Sequence, residues 1–362
     1  MWRYRWAAVI ESDRSGNEQL RTKISAGHAL HERALVVLAH DHMVRAEDLR
    51  RDIAGGVTAK VVQATVSGRA FSDSRAEFER SLYSSEGFMR DAMEAYDEIF
   101  ATIETMPDEV FVVRRAADIL EAKRTGRLGL ILGAEGAKLL EGSLAALRVF
   151  HRLGMRHLQL HWATRNQVGT AQSDTDEPGL TEFGREVVAE VNALGMLLDV
   201  SHSSVATIAD VLAITDRPVI NSHTGARELN PRSTQLLWDD QIKDLADNGG
   251  VAAVHFCSRV LLDSGHATID DVLTHIDYLV DAGGIESVGL GPDYLLDGTQ
   301  RTRNVSFNQR IAEDDFTWAK DFEDTSTLPN VTVALLERGY TEDETLKILG
   351  GNMLRVIEAS LP

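Results

Sequence analysis

Histidines cluster where short apolar segments of this sequence end. The chain contains 12 histidines, and six of them stand at such positions: His40, His42, His161, His202, His223 and His255. His40 and His42 are two residues apart, so on a strand their side chains point to one side and that of Asp41 points to the other. Several imidazoles in one place suit a first-row divalent metal ion. The pattern therefore predicts a metal centre.

One carboxylate can join two metal ions in such a centre. The pair His40 and His42 can hold one ion, and the pair His202 and His223 can hold a second. Glu135 offers two oxygens and can bridge both ions. Two ions roughly 3.5–4 Å apart can share a water molecule, lower its pKa and polarise a carbonyl group. This arrangement predicts hydrolytic chemistry.

Asp293 is the acidic residue that this scheme leaves without a metal. A carboxylate close to two cations stays ionised. Asp293 can therefore take a proton from the shared water and pass it to a leaving amine. Together these residues predict a binuclear metal-dependent hydrolase of an amide bond, with a metal-bridged hydroxide as the nucleophile.

Eight short aliphatic or β-branched segments alternate with amphipathic stretches, and these strands must position the candidate side chains. Near-continuous apolar strands are typical of parallel sheets that are buried on both faces. Eight of them with helical crossovers predict the α/β class and a single (β/α)8 barrel, whose functional residues lie at the C-terminal strand ends. The segments are Ala34–Ala39, Ala59–Val66, Leu128–Ala134, Arg156–His161, Met196–Val200, Pro218–Ser222, Gly250–Phe256 and Ser287–Gly291.

The same pattern predicts one domain, residues 34–362, after an N-terminal extension of residues 1–33. Two long connections are expected to add to the barrel. Residues 67–127 should carry extra helices or a lid, and residues 295–328 should cover the mouth. A C-terminal helical extension, broken near Gly350–Gly351, completes the predicted architecture.

Composition narrows the class of partner. Lys and Arg number 37 and Asp and Glu number 56, so the net charge is −19, which makes nucleic acid and anionic membranes poor partners. The single cysteine, Cys257, excludes a disulfide within the chain and fits a reducing compartment. No targeting segment and no apolar run near the roughly 20 residues of a spanning helix is visible. We therefore expect a cytoplasmic protein that acts on a small molecule.

A series of short motifs occurs in order from about Leu35 to the C-terminus: Gly133–Gly136, Leu153–His161, Leu198–His202, Pro218–His223, Asn230–Arg232, Val288–Asp293, Glu337–Tyr340 and Leu349–Arg355. Together they resemble the membrane (renal) dipeptidase family of metallopeptidases, a branch of the amidohydrolase superfamily. The resemblance implies a (β/α)8 barrel that binds two divalent ions, usually zinc, and cleaves dipeptides.

The resemblance also implies a role for each candidate residue. His40 would be a ligand of the first ion, Glu135 the bridge, and His202 and His223 the ligands of the second ion. By the same resemblance His161 would steady the substrate oxyanion, Arg232 would bind a free carboxylate and Asp293 would be the acid/base. From their positions at strand ends, His255 and Tyr294 are expected to bind substrate, and the alternative for His255 is packing at the top of the barrel.

Position 42 departs from the family, which carries His-x-Asp after the first strand. His42 removes one negative charge from the ligand set, so the shared water should be more acidic. His-x-His is the pattern of the wider superfamily, and we expect His42 to remain a metal ligand. The remaining six histidines are expected to be solvated: His28, His31, His151, His157, His266 and His275.

Several alternatives stay open at this point. Arg232 can instead be a surface charge paired with Asp239 or Asp240. The enzyme can be a specialised pathway amidohydrolase with a non-dipeptide substrate, or a mononuclear, non-hydrolytic relative such as a decarboxylase. A non-enzymatic barrel that keeps the site for binding is the third rival. A homodimer is compatible with the sequence.

Overall fold

Nine parallel strands lie in the part of the chain that the structure describes. The computed structural model describes residues 18–66, 84, 86–162, 164–174, 178–294, 317–322 and 324–362. The strands are β1 (Val37–Asp41), β2 (Ala59–Val66), β3 (Val110–Val112), β4 (Leu128–Glu135), β5 (His157–Gln159), β6 (Leu197–Asp199), β7 (Ile220–Thr224), β8 (Val251–Val254) and β9 (Val288–Leu290). Their order is β2-β1-β9-β8-β7-β6-β5-β4-β3, and a further pairing of β2 with β4 closes the barrel. The predicted (β/α)8 barrel is confirmed.

Helices surround this barrel and cover the outer faces of the strands. Thirteen α-helices lie in the described residues: α1 (Glu18–Arg33), α2 (Ala46–Ala54), α3 (Phe88–Glu104), α4 (Ala117–Thr125), α5 (Leu144–Leu153), α6 (Glu182–Leu194), α7 (Val205–Ile214), α8 (Asp239–Asp247), α9 (Ser258–Leu261), α10 (Ile269–Gly283), α11 (Pro329–Arg338), α12 (Glu342–Leu346) and α13 (Asn352–Ser360). Single 3-10 turns cover Ala137–Leu140, Ile285–Ser287 and Thr325–Thr327.

The long second connection contains the extra helices α3 and α4, as predicted, and one strand that was not predicted. β3 pairs in parallel with the start of β4, with Val110 opposite Leu128. A three-residue Val-Phe-Val segment is too short to show a strand period in the sequence. The lid predicted within residues 67–127 falls partly on residues 67–83 and 85, and the mouth cover falls largely on residues 295–316; both lie outside the described residues.

The C-terminal helix closes the end of the barrel opposite the histidines. Met353, Val356 and Ile357 of α13 form one buried cluster with Val37 and Ile220 at the starts of two strands. The predicted break before this helix is confirmed, because a π-helical turn at Lys347–Gly351 separates α12 from α13. A Cβ atom at Gly350 would lie 2.4 Å from the carbonyl oxygen of Leu35, so the close approach requires glycine.

Extra residues in two strands turn the metal-site side chains into the barrel. β1 contains one more residue than β2 between the pairs Leu38–Lys60 and Asp41–Val62. β7 likewise contains one more residue than β8 between Asn221 and Thr224. A bulge of this kind breaks the strict alternation of sides and re-aims a side chain. The bulges therefore lie where His40 and His223 must point inward.

On the outer side of the β1 bulge, Asp41 joins a buried charge cluster. Lys60 Nζ lies 3.3 Å from Asp41 Oδ1 and 2.7 Å from Asp52 Oδ2, and it donates to the carbonyl of Met43 at 2.6 Å. All three charged side chains are essentially inaccessible to water. With one cation and two carboxyl groups, burial raises the pKa of Asp41 to about 7 despite the attraction of Lys60.

Asp41→Asn is expected to raise the melting temperature of the metal-free protein by a few degrees at pH 8 and by a smaller amount at pH 5. The folded-state pKa of about 7 lies above the ordinary 3.8, so the folded state binds the extra proton and stability falls as pH rises between these values. Asparagine removes that loss and keeps an oxygen for Lys60. Thermal unfolding at both pH values checks this, and a lower melting temperature of the variant at pH 8 would contradict it.

Candidate metal centre and active site

The first half of the candidate centre is the His-x-His pair at the end of β1. His40 Nε2 and His42 Nε2 are 3.2 Å apart, and both rings are buried or nearly so. His42 Nε2 lies 3.4 Å from Glu135 Oε2. As the spacing predicts, the two imidazoles share one side of the chain, while Asp41 faces Lys60 on the other.

The second half comes from the ends of β6 and β7. His202 Nε2 and His223 Nε2 are 2.9 Å apart, and they lie 3.2 Å and 3.6 Å from Glu135 Oε1. His202 adopts a left-handed backbone with φ of 60°, which is rare for a residue other than glycine and brings strain to the site. The rings of His40 and His223 are only 3.8 Å apart between centroids, so the two halves adjoin.

Glu135 lies between the two pairs at the end of β4. One of its oxygens faces His42 and the other faces both His202 and His223. Its side chain is 3% exposed. Gly136 follows with φ of 95°, a left-handed turn that lets the chain leave the strand directly after the carboxylate. This geometry brings the carboxylate within 3.4 Å of one ring nitrogen in each pair.

The donor atoms fit divalent metal ions. The ligand atoms of His40, His42 and Asp293 lie within 4.8 Å of one another, and so do those of His40, Glu135 and His223. Burial lowers the pKa of His40 and of His223 well below the ordinary value, so these rings stay neutral and keep a nitrogen lone pair. Asp293 Oδ1 is buried without a hydrogen-bond partner. Converging neutral imidazoles and carboxylates of this kind are a ligand set for a first-row metal.

Asp293 stands beside the first pair, at the end of β9. Its Oδ1 lies 3.2 Å from His42 Nε2 and 3.5 Å from His40 Nε2. Burial opposes its charge, but the adjacent imidazoles of His255, His42 and His40 hold the pKa of Asp293 well below its usual value. Its backbone is left-handed, with φ of 52°. An ionised carboxylate at this position can exchange a proton with a reacting group.

His255 contacts Asp293, where the sequence predicted a residue that lines the substrate pocket. His255 Nδ1 accepts a hydrogen bond from the backbone N–H of Cys257 at 3.0 Å. Its proton must therefore be on Nε2, which lies 3.1 Å from Asp293 Oδ2. This interaction leaves Oδ1 as the carboxylate oxygen that faces the histidine pair of β1.

His161 completes the buried groups at the barrel mouth. Its Nδ1 lies 2.9 Å from Ser203 Oγ, and its Nε2 is buried without a hydrogen-bond partner. Burial lowers the pKa of His161 to about 4, so the ring is neutral near pH 7. A neutral imidazole that carries its proton on Nε2 can donate a hydrogen bond to a substrate oxygen.

Two predicted substrate residues lie elsewhere. The Tyr294 hydroxyl donates to the carbonyl of Phe322, and its ring packs beside Trp318. The Arg232 side chain is 81% exposed and its guanidinium lies 2.8 Å from Asp263. The structure therefore does not bring Arg232 into the buried cluster. The surface pair that the sequence considered with Asp239 or Asp240 is formed with Asp263.

A small cavity adjoins His202 on the side of the β7–α8 connection. It has a volume of about 170 Å³, and Gln172, Ser203 and Arg227 are among its lining residues. The guanidinium of Arg227 lies 4.7 Å from the centre of the Trp238 ring. Sequence reasoning missed Arg227, because nothing in its neighbourhood distinguishes it from the nearby Arg232.

Three histidines expected to be solvated are in fact buried: His31, His157 and His275. His31 bonds to Thr332 at 2.7 Å and to the carbonyl of Gly55 at 2.8 Å, and His157 Nε2 lies 3.0 Å from Asp199. These rings can be buried because each forms a hydrogen bond to a partner that is remote in sequence. Buried polar groups are normally satisfied in this way.

Comparison with known proteins agrees with this geometry. The chain is 32% identical over 272 residues to dipeptidase tcpJ of Claviceps purpurea, which covers 74% of this chain and 60% of that protein. The chain thus spans about three fifths of that relative's length. Within the described residues, none of the helices has the length and apolar character needed to cross a bilayer.

The fold recurs in solved structures. An amidohydrolase from Pseudomonas aeruginosa superposes with a TM-score of 0.79 at 26% identity, covering 92% of this chain and 99% of that one. A metallopeptidase from Rhodobacter sphaeroides, liganded with a phosphinate mimic of L-Ala-D-Ala, superposes with a TM-score of 0.74 at 22% identity, covering 90% and 99%. The sequence profile of the membrane dipeptidase family, peptidase family M19, matches residues 37–360. With the profile matched along nearly the whole barrel, the chain belongs to the membrane dipeptidase family.

Proposed function

We propose that this protein is a metal-dependent hydrolase that cuts the amide bond of a dipeptide or an N-acyl amino acid, using two divalent ions, with zinc as the metal. Membership of the membrane dipeptidase family and the dipeptidase relative support the reaction class. The observation that carries the proposal is the placement of Glu135 among the histidines of both pairs: its Oε2 lies 3.4 Å from His42 Nε2, and its Oε1 lies 3.2 Å from His202 Nε2 and 3.9 Å from His40 Nε2.

The residues that would hold the ions are His40 and His42 on one side, His202 and His223 on the other, and Glu135 between them. Two such ions would activate a water molecule and polarise the scissile carbonyl. The protein holds these imidazoles in a buried, low-dielectric mouth, where charge interactions are stronger than in water.

The protein's own groups supply the proton transfers and the orientation of the substrate. Asp293 Oδ1, next to the β1 histidines, accepts a proton from the attacking water and returns it to the leaving nitrogen. His161 is neutral, and its free Nε2 donates to the developing oxyanion. Holding both groups on strand ends fixes their geometry before the substrate arrives.

The decisive test combines elemental analysis with turnover. The purified protein should contain two divalent ions per chain and should hydrolyse members of a panel of L,L- and L,D-dipeptides and N-acyl amino acids. One ion per chain together with carbon dioxide release would favour the decarboxylase alternative. Two ions with no turnover on the panel would favour a specialised pathway substrate, and no ion with no turnover would favour a binding module.

We propose that the substrate carries a free carboxylate next to the scissile bond and that Arg232 binds it. Within the part of the chain that the structure describes, Arg232 forms an exposed ion pair with Asp263, which is worth about 0–1 kcal/mol and leaves the guanidinium able to turn toward a substrate. A charge-assisted hydrogen bond to a carboxylate is worth about 1.5–3 kcal/mol.

Arg232→Met should therefore raise KM by roughly ten- to a hundredfold for carboxylate substrates and little for their amides. Asp263→Asn is the control, because it removes the surface partner and leaves the arginine in place. Arg227→Met is the comparison. An effect confined to Arg227→Met would assign the carboxylate to the cavity beside His202 and would contradict the role of Arg232.

A further inference from the structure

The two halves of the metal centre share one hydroxyl group. Ser222 Oγ lies 3.0 Å from His40 Nδ1 and 2.9 Å from His223 Nδ1. These histidines come from β1 and β7 and belong to different halves of the centre. Ser222 is fully buried, so no water competes for its hydroxyl.

The proton of this hydroxyl has its own acceptor. Ser222 Oγ lies 3.2 Å from Ser201 Oγ, and Ser201 Oγ donates to Asn221 Oδ1 at 2.9 Å. A hydroxyl has one proton and two lone pairs. If Ser222 donates to Ser201, both of its lone pairs are left for N–H groups. Every group in this hydrogen-bond network is then satisfied only when both Nδ1 atoms carry a proton.

The proton on Nδ1 decides what the opposite nitrogen can do. A neutral imidazole with its proton on Nδ1 has a lone pair on Nε2. His40 Nε2 and His223 Nε2 are the atoms that lie 3.9 Å and 3.6 Å from Glu135 Oε1. The shared hydroxyl therefore selects the tautomer that presents a metal-binding nitrogen in both halves at once.

Two neighbours are consistent with this assignment. As placed, the Gln63 amide nitrogen lies 3.0 Å from His40 Nδ1, and the amide oxygen has no hydrogen-bond partner among the described residues. Turning this amide by 180° presents that oxygen to the Nδ1 proton, since amide orientation is assigned from the network. Asp199 Oδ1 accepts from the backbone N–H of Ser201 at 2.8 Å and of Ser222 at 3.3 Å, which fixes both serines.

We propose that Ser222 is a positioning residue that couples the two ion sites by accepting a hydrogen bond from one histidine of each. This inference rests on the two-ion centre proposed above. Hydrogen-bond partners of metal-binding histidines typically contribute 10–100-fold to metal affinity. Because one hydroxyl serves both halves, its loss should lower the metal affinity of both sites together. The loss of a partner that bonds to a single histidine would lower the affinity of one site.

The test is a matched pair of variants, Ser222→Thr and Ser222→Val, which have the same shape and differ by the hydroxyl. Zn²⁺ is titrated into the metal-free proteins in competition with a chromophoric chelator at one fixed pH. We expect both binding constants to weaken by roughly 10–100-fold in Ser222→Val and to stay near those of the wild type in Ser222→Thr. Circular dichroism of the metal-free variants checks that they fold alike.

Ser203→Ala is the control, because it removes the hydroxyl that His161 contacts at 2.9 Å and touches no proposed ligand side chain. Both of its binding constants should match the wild type. Weakening of only one constant in Ser222→Val, or equal weakening in Ser222→Thr, would overturn the shared role. If both Zn²⁺ binding constants of Ser222→Val equal those of the wild type, the role of Ser222 is overturned and the two-ion centre stands. A single Zn²⁺ bound by the wild type would overturn both the role of Ser222 and the two-ion centre.

If Ser222→Val does not fold, Ser201→Ala decides the matter. Removing the Ser201 hydroxyl takes away the acceptor for the Ser222 proton, so that proton must turn to one of the two Nδ1 atoms. One imidazole then loses the tautomer with a free Nε2. We expect one Zn²⁺ constant to weaken by roughly 10–100-fold in this variant, and unchanged constants would overturn the inference.

Discussion

Glu135→Gln is expected to release at least one of two ions from the purified protein and to abolish hydrolysis. The carboxylate is the group that faces both histidine pairs, one oxygen toward His42 and the other toward His202 and His223. Glutamine keeps the shape but loses the charge and replaces one oxygen by an NH₂ group, which cannot bind a cation. We expect at least about a 100-fold loss of metal affinity, the upper end of what outer partners of metal ligands contribute.

Elemental analysis after dialysis and Zn²⁺ titration measure this loss. The matched control is Glu186→Gln, on the exposed face of α6, where the same chemical change should leave metal content and turnover as in the wild type. Retention of two ions and full activity by Glu135→Gln would contradict the bridge. A protein that keeps one ion tightly would show that one histidine pair binds an ion without the carboxylate.

Asp293→Asn is expected to lower kcat by roughly 10²–10⁴-fold, the usual contribution of a general acid or base. Its Oδ2 is held by His255 at 3.1 Å, and its Oδ1 lies 3.2 Å from His42. Asparagine fits the same space but cannot accept and return a proton. Because the five ligands and the substrate contacts remain, we expect two ions and a nearly unchanged KM.

Steady-state kinetics together with metal analysis separate a proton-transfer role from a ligand role. Asp108→Asn, at an exposed position, is the control for the chemical change. Loss of one ion in Asp293→Asn would mean that the carboxylate is itself a ligand of the first ion. A kcat within a few-fold of the wild type would contradict its role as the acid/base.

Much of the barrel could be predicted from local pattern. The eight strand segments and the break near Gly350 follow from apolar runs and glycine positions, which act within a few residues. The clustering of the histidines could also be predicted from the sequence, because the C-terminal ends of parallel strands meet at one end of a barrel. Strand β3 escaped prediction because its three residues show no period.

The sequence by itself determined which histidines and carboxylates meet at the mouth, since each follows a recognisable strand segment; it did not determine the positions of Arg232 and Tyr294. Only the tertiary structure decided how they meet. The bulges that turn His40 and His223 inward depend on the pairing partner of each strand. The sharing of Ser222 and the placement of His255 on Asp293 depend on distances between elements remote in sequence. Hydrogen bonds are directional within a few tenths of an ångström, and no spacing along the chain specifies such distances.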